Sequence, residues 1–182
     1  MNLPTNELWR TLIWNQYGAA IDMLENAIRA CPEDLWGDRT RFPEYWYSAY
    51  HTLFWLDLYL SGAVDGFSPP PPYTLEELDP AGILPSRVYT KEELLEYLEH
   101  CREKAYATIN GLTEEGAQRA CRFGRGEGPF AELLLYTMRH VQHHSGQLDL
   151  ILRQTIDSAP GWVSRAKHHA LAPSLRESFR RS

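Results

Sequence analysis

The chain has 182 residues, of which 43% are hydrophobic and 23% are charged, a composition typical of a single soluble globular domain. Its formal net charge of −6 argues against a general nucleic-acid-binding protein. No apolar run reaches the roughly 20 residues of a membrane span, and the N-terminal MNLPTNELWR lacks the basic and apolar regions of a secretory signal. We therefore expect a cytoplasmic protein that binds neither nucleic acid nor membranes.

The three cysteines, Cys31, Cys101 and Cys121, lie far apart and form no CxxC pair. Cys101 also falls on the apolar stripe of a predicted helix. A disulfide framework or a thiolate metal cluster is therefore not expected, and a reducing compartment agrees with this pattern.

The first predicted helix is capped by Thr5 or Asn6 and ends before Pro32. Its inward positions follow the helical spacing of three and four residues: Trp9, Leu12, Ile13, Gln16, Tyr17, Ala20, Leu24, Ala27 and Ile28. Gln16 is a polar residue on this stripe, so its amide needs a partner. It is either a satisfied core amide or a group that faces a functional pocket.

The second predicted helix opens at Pro43 and runs through EYWYSAYHTLFWLDLYLSG. It is apolar nearly all round, which is typical of a central helix and favours a homodimer, because more than one of its faces must be covered. His51 shares a face of this helix with Tyr47 and Trp55. Charging His51 there would carry a desolvation cost, so we expect a neutral ring, the form that binds metal ions. An ordinary core histidine is the alternative.

The segment from Gly62 to Tyr89 carries four consecutive prolines, Pro69–Pro72, and three further helix breakers. It is too long and too rich in proline for a simple turn between helices. One interpretation is a crossover strap that joins two helices running in the same direction. The other is a lid over one end of the bundle, and one segment can serve both purposes.

Thr90 caps the third predicted helix, whose core stripe comprises Leu94, Leu98, Cys101, Ala105, Ile109 and Leu112. A loose glycine-rich connection without a phosphate-binding pattern then leads to the fourth helix. We assign residues 1–163 to a four-helix bundle. Residues 164–182 form a basic tail, expected to be solvated, that contains Arg165, Lys167, Arg176, Arg180 and Arg181.

The fourth predicted helix, from Gly128 to Thr155, is the most informative stretch of the chain. At 100° per residue, one side of it collects Leu133, Thr137, His140, His144, Gln147, Leu148 and Ile151. His140 and His144 are four residues apart, so their Cβ atoms lie about 5 to 6 Å from each other and their rings can share one metal ion. A stable site needs a third ligand, for which His51 is the best candidate. Core histidines with satisfied ring nitrogens are again the alternative.

Four long helices, a histidine midway along the second and the motif HVQHHSGQL at His140–Leu148 together resemble the DinB/YfiT-like superfamily of metal-dependent proteins. The resemblance extends over roughly residues 6–162. It implies an all-α four-helix bundle with a long crossover strap between the second and third helices. It also implies that His51, His140 and His144 are the metal ligands.

Three neutral imidazoles leave at least one coordination position open, which is typical of reactive rather than purely structural sites. Zinc or nickel is the expected ion, and such a site also accepts iron or manganese. The expected nucleophile is a water or a low-molecular-weight thiol held by the metal, because the sequence shows no protein nucleophile motif. Gln16, Tyr47, Trp55 and Gln147 are expected to line the pocket or to support the ligands.

Two enzyme classes and one non-enzymatic function follow from such a site. The resemblance to thiol-dependent S-transferases and maleylpyruvate isomerases of this superfamily implies transfer of a small thiol to a small electrophile. A metal-dependent hydrolase of a small substrate is the alternative enzyme, although no Glu or His is well placed in the sequence as its general base. The third possibility is a metal-loaded binding or stress-response module, in which the ion ties two helices together.

Overall fold

The computed structural model describes residues 5–123 and 126–167 of the chain. In chain order its elements are α1 (Thr5–Ala30), α2 (Glu33–Trp36), α3 (Tyr45–Ser61), a 3₁₀ helix (Leu75–Leu78), α4 (Lys91–Asn110), α5 (Glu114–Gln118), the antiparallel strands β1 (Ala120–Phe123) and β2 (Gly126–Pro129), and α6 (Phe130–Ile156). The long helices α1, α3, α4 and α6 form a bundle, which confirms the predicted all-α fold class. Among the described helices, none is both long and apolar enough to cross a membrane.

Each long helix packs mainly against two others, so the bundle has the cyclic order α1, α4, α3, α6. Between α3 and α4, the Cys101 thiol donates to the Leu53 carbonyl, with 3.6 Å between sulfur and oxygen. Further along both helices, Lys104 Nζ donates to Ser61 Oγ at 2.7 Å. Because these contacts advance in the same direction, α3 and α4 are parallel, as the length of the strap between them predicts.

The pairing of α3 with α6 is antiparallel. The rings of Tyr59 and Tyr136 lie 5.5 Å apart between centroids, whereas the earlier residue His51 meets the later residue His144 at 5.0 Å. α1 runs opposite to α4 in the same way. This arrangement sets the middle of α3 against the second half of α6.

The start of α3 differs from the prediction, because the helix begins at Tyr45 and not at Pro43. Glu44 precedes it in an extended conformation, and its buried carboxylate accepts hydrogen bonds from Trp46 Nε1 at 2.5 Å and Arg39 Nε at 2.9 Å. These bonds hold Glu44 outside the helix. The helix ends at Ser61, and the next residue, Gly62, has a φ of 75°, a left-handed conformation that favours glycine.

The connections on either side of the bundle helices contain short elements that the sequence pattern did not reveal. The first holds α2, whose Leu35 and Trp36 side chains are buried. The glycine-rich connection before α6 holds α5 and the β1–β2 hairpin. Elements of four or five residues span little more than one helical turn, which is too short for periodicity to appear.

The strap between α3 and α4 packs against both of these helices. Phe67 packs against Phe54 with 5.5 Å between ring centroids. Tyr73 stacks on Tyr97 at 4.2 Å, and its hydroxyl donates to the Glu93 carbonyl at 2.6 Å. The apolar character of α3 is therefore accounted for within one chain. The expected homodimer stays a prediction.

The buried seam of α1 matches its sequence pattern except in the first three turns. Five of the predicted inward residues are buried: Tyr17, Ala20, Leu24, Ala27 and Ile28. Trp9 and Leu12 were expected inside but are 59% and 40% exposed. Gln16 is also exposed, although it shares a stripe of the helix with the buried residues Ala20 and Ala27.

A segment after α6 returns to α1 and packs along it. Gln16 Nε2 donates to the Ser164 carbonyl at 3.2 Å, and the Ala166 amide donates to the Asn15 carbonyl at 2.9 Å. The Lys167 amide donates to Asp22 Oδ2 at 2.7 Å. The first residues of the predicted basic tail therefore lie against the bundle. The other basic residues assigned to that tail, Arg176, Arg180 and Arg181, are outside the described residues.

Candidate metal centre

Three histidines from two antiparallel helices meet at one point of the bundle. His51 comes from the middle of α3, and His140 and His144 come from successive turns of α6. One ring nitrogen from each residue lies within 4.8 Å of the other two. The ring centroid of His51 lies 5.4 Å from that of His140 and 5.0 Å from that of His144. A cluster of this size can hold one metal ion between its nitrogens.

Gln147 fixes the orientation of the His144 ring. His144 Nδ1 lies 2.8 Å from Gln147 Oε1, and the amide oxygen can only accept, so Nδ1 carries the proton. The neutral ring then presents an unprotonated Nε2, which lies 3.1 Å from His140 Nε2. Gln147 is one helical turn beyond His144, and α6 therefore supplies both the imidazole and the group that orients it.

Glu77, on the 3₁₀ helix of the strap, fixes the orientation of the His51 ring. Its Oε1 is in direct contact with His51 Nδ1. With Nδ1 held by the carboxylate, His51 turns Nε2 towards the two histidines of α6. A carboxylate bound to the outer nitrogen of a ligating histidine is a recurrent support of metal sites, because it sets the tautomer and the ring plane.

Glu77 is the functional residue that sequence analysis missed. The strap contains several acidic residues in a segment without helical or strand periodicity, so no pattern distinguishes the one that points inward. The side chain of Glu77 is only 4% exposed. A short 3₁₀ helix, capped by the Thr74 side chain, decides this orientation, and such turns leave little trace in the sequence.

Burial keeps the two histidines of α6 neutral. Burial, and then the neighbouring His144, His51 and His143 rings, lower the pKa of His140 to about 3. Burial and the proximity of His51 lower the pKa of His144 to about 4, against a smaller opposing effect of the hydrogen bond to Gln147. Neutral imidazole is the form that coordinates metal ions, so neither ring must lose a proton before binding at neutral pH.

The donor set fits a divalent metal ion. His51 and His144 each use Nδ1 for a supporting contact and direct Nε2 to the centre. His140 also directs Nε2 to the centre, and its Nδ1 is buried without a hydrogen-bond partner among the described residues. Three imidazoles without a coordinating carboxylate match the ligand preferences of zinc, nickel and related ions.

The other predicted pocket residues divide into two groups. Tyr47 and Trp55 flank His51, with ring centroids 6.1 Å and 6.2 Å away, and both donate to Glu77. Gln147 supports His144. Gln16 does not line this site, since it is exposed on α1 and bonded to the segment after α6.

A groove of about 480 Å³ borders the cluster on the side of His140. Five residues of α6 line it: Tyr136, Arg139, His140, Gln142 and His143. None of these residues is acidic, and Arg139 forms no ion pair within the described part of the chain. The groove offers a route by which a small molecule can approach the histidines.

Comparison with known proteins identifies the family. The model of the DinB superfamily matches residues 16–148, a span that contains all three histidines of the cluster. No curated protein and no solved structure matches the chain. The family match covers well over half of the sequence and agrees with the helical fold. The chain therefore belongs to the DinB superfamily.

Proposed function

We propose that the protein is a metal-dependent enzyme that transfers a low-molecular-weight thiol to a small electrophile. His51, His140 and His144 would hold a divalent ion, zinc or nickel, with iron or manganese as further candidates. The observation that carries the proposal is the convergence of three imidazoles beside an open groove. When bound, such an ion supplies positive charge that lowers the pKa of a coordinated thiol or water.

The residues around the cluster have distinct roles in this proposal. Gln147 and Glu77 hold the outer nitrogens of His144 and His51, so that Nε2 of each ring stays available. Tyr47 and Trp55 cover the flank of His51 and limit the access of water from that side. The substrate enters through the groove beside His140.

The hydrogen bonds that Glu77 already accepts favour thiol transfer over hydrolysis. Glu77 Oε1 accepts from His51 and from Trp55 Nε1 at 3.1 Å, and Oε2 accepts from the Tyr47 hydroxyl at 3.1 Å. A carboxylate committed to three donors is poorly suited to remove a proton from an attacking water. A thiol that is already deprotonated needs no such base. Hydrolysis and a non-enzymatic metal-loaded module remain the alternative functions.

The charge of the groove favours a substrate that carries a carboxylate. Arg139 and His143 are exposed there, and none of the described residues that line the groove is acidic. An arginine without a protein partner can bind a carboxylate through two parallel hydrogen bonds. The carboxylate can belong to the thiol or to the electrophile, since both approach the same histidines.

The test is a conjugation assay with metal-loaded protein. Bacillithiol, mycothiol and glutathione are each incubated with a bimane electrophile, and the rate is compared with that of the metal-free protein. We expect a metal-dependent rate that saturates with one of the thiols. His144→Ala should abolish this rate while the helical circular dichroism is retained. Metal-dependent hydrolysis of an ester or amide panel, without thiol conjugation, would replace this function with a hydrolase; failure of both would favour the binding module.

Further proposals concern the metal, the assembly and the location. Metal analysis of protein purified without a metal-leaching affinity resin would identify the ion, because occupancy follows supply as well as affinity.

We also propose that the protein is a homodimer. Sedimentation at micromolar concentration tests this, and a monomeric sedimentation coefficient would contradict it. A cytoplasmic location agrees with three free, buried cysteines.

A further inference from the structure

Glu77 is held by a row of donors along one stripe of α3. Tyr47, His51 and Trp55 are spaced four residues apart, so they lie one above another on successive turns. Each of them places a polar hydrogen-bonding atom on the Glu77 carboxylate. A single strap residue therefore contacts three successive turns of α3.

The backbone around Glu77 is anchored independently of these contacts. Tyr73 is buried between aromatic rings and bonded to the Glu93 carbonyl. Thr74 then caps the 3₁₀ helix by accepting from the Glu76 amide at 3.4 Å. The Asp79 amide closes the turn by donating to the Glu76 carbonyl at 2.9 Å. Glu77 is thus presented to α3 by a defined turn.

The charge of Glu77 lacks a permanent counterion. Its side chain is 4% exposed, and the one basic group that contacts it among the described residues is the His51 ring. No lysine or arginine of the described chain pairs with it. A buried carboxylate without a fixed cation is costly. A cation shared by the three imidazoles would supply the missing positive charge through the His51 ring.

We propose that Glu77 is the positioning residue that couples docking of the strap to metal binding. It holds His51 with Nε2 towards His140 and His144, and the bound cation in turn stabilises Glu77 in its buried position. By linkage, whatever strengthens the docking of the strap strengthens metal binding, and the reverse holds with the same factor. The proposal rests on the metal site of the proposed function but not on its thiol chemistry.

The test compares Glu77→Gln with Glu76→Gln, a matched control on the same 3₁₀ helix whose carboxylate forms no hydrogen bond or ion pair with the described residues. Zinc affinity is measured by competition with a chromophoric chelator. We expect Glu77→Gln to bind zinc about 10- to 100-fold more weakly, the usual loss for a group that supports a ligand. Glu76→Gln should bind like the unmodified protein.

Two further readouts separate positioning from a general structural role. In the cobalt-substituted protein, Glu77→Gln should change the visible absorption bands, because the His51 ring is no longer fixed. Zinc should slow cleavage of the strap by thermolysin at the exposed Leu75 and Ile83 in the unmodified protein and in Glu76→Gln. In Glu77→Gln this protection should be lost.

Each outcome bears on a different statement. Wild-type zinc affinity, cobalt spectrum and strap protection in Glu77→Gln would overturn the role of Glu77 and leave the metal site intact. An unmodified protein that binds no metal would overturn the metal site itself, and the coupling with it. If Glu77→Gln does not fold, Tyr47→Phe removes one donor from the carboxylate. It should weaken zinc protection of the strap in the same direction, and unchanged protection would contradict the coupling.

Discussion

His140 Nε2 and His144 Nε2 lie 3.1 Å apart in the centre of the cluster. Since Gln147 fixes the proton of His144 on Nδ1, the Nε2 of that ring carries a lone pair. Two lone pairs at this separation would repel each other, so a proton on His140 or a shared cation must lie between the rings. The close approach of these two nitrogens is therefore a feature that metal binding can exploit.

Replacement of each ligand should remove the metal. We expect His51→Ala, His140→Ala and His144→Ala each to lose most of the zinc after loading with one equivalent, because two imidazoles hold the ion weakly. Elemental analysis of the gel-filtered protein measures the loss. His143→Ala is the control, since its ring is exposed beside His144 but outside the cluster. Stoichiometric zinc in the His51 variant would contradict the assignment.

The same control set can include the histidines near the end of the chain. His168 and His169 lie outside the described residues. Adjacent residues point to different sides of any helix or strand, and we therefore expect both alanine variants to keep the metal.

The metal-free protein should lose stability as the pH falls below about 6.5, the pKa of free histidine. Burial lowers the pKa of His140 to about 3 and that of His144 to about 4. The unfolded chain therefore takes up protons at a higher pH than the folded protein does. Stability is complete above pH 6.5 and declines as the pH approaches 4. Urea midpoints between pH 7.5 and 4.5 measure this decline.

A variant of the buried ring should reduce this dependence on pH. His140→Gln removes one of the groups whose pKa differs between the folded and unfolded states, so its urea midpoint should fall less steeply with acidification. His143→Ala changes an exposed ring and serves as the comparison. If the urea midpoint changes equally with pH in the unmodified protein and in His140→Gln, His140 is not the source of the pH dependence.

Arg102 should be a major determinant of stability. Its guanidinium is 1% exposed and pairs with Asp22 at 2.5 Å, Glu25 at 2.6 Å and Glu99 at 3.0 Å, joining α4 to α1. Arg102→Met should lower the free energy of unfolding by about 3–5 kcal/mol, because buried carboxylate is left without its cation. Arg29 meets the same Glu25 from solvent and is 59% exposed. Arg29→Met should cost at most about 1 kcal/mol in the same urea titration.

Gly18 should be required for docking of the segment after α6. A Cβ atom at this position would lie 2.6 Å from Ala166 Cβ. Gly18→Ala should therefore displace this segment and accelerate tryptic cleavage at Arg165 and Lys167. Gly146→Ala is the control, since its added Cβ would meet no atom within 4 Å among the described residues beyond its own turn of the helix. It should stabilise the helix by about 0.5–1 kcal/mol and leave the cleavage rate unchanged.

Arg139 should select substrates that carry a carboxylate. Arg139→Gln should raise the KM for a carboxylated thiol or electrophile and leave the KM for its methyl ester unchanged, because the ester does not need the guanidinium. Testing the ester of each reactant separately shows which one binds in the groove. Arg153→Gln, on the same helix but outside the groove, is the matched control. Equal effects of both variants would exclude a specific role for Arg139.

The local spacing of α6 carries most of what the sequence reveals about this site. An uninterrupted helix keeps its period, so His140, His144 and Gln147 can be placed on one side from their numbers alone. His51 required a second argument, since its helix is apolar on nearly every side. That argument came from the need for a third ligand and from the family motif.

Two features could not be predicted because they depend on how separate elements pack together: the exposure of Gln16 and Leu12, and the inward orientation of Glu77. Gln16 and Leu12 follow a helical period, but only the packed bundle shows which part of the length of α1 the other elements cover. Glu77 depends on the turn that Thr74 initiates in a segment without a period. Side-chain contacts between a strap and a helix are non-local, and a single sequence contains no signal for them.

The position of the strap immediately after α3 has a consequence for the chain during its synthesis. Translation at roughly 5–20 residues per second delivers His140 about 5–20 seconds after His51. During that interval α3 has no α6 to pack against, and its apolar faces would favour aggregation. Phe67 and Tyr73 of the strap emerge within the first seconds of that interval and pack on the aromatic residues of α3. We therefore expect the strap to cover this part of the nascent helix before the last helix completes the histidine cluster.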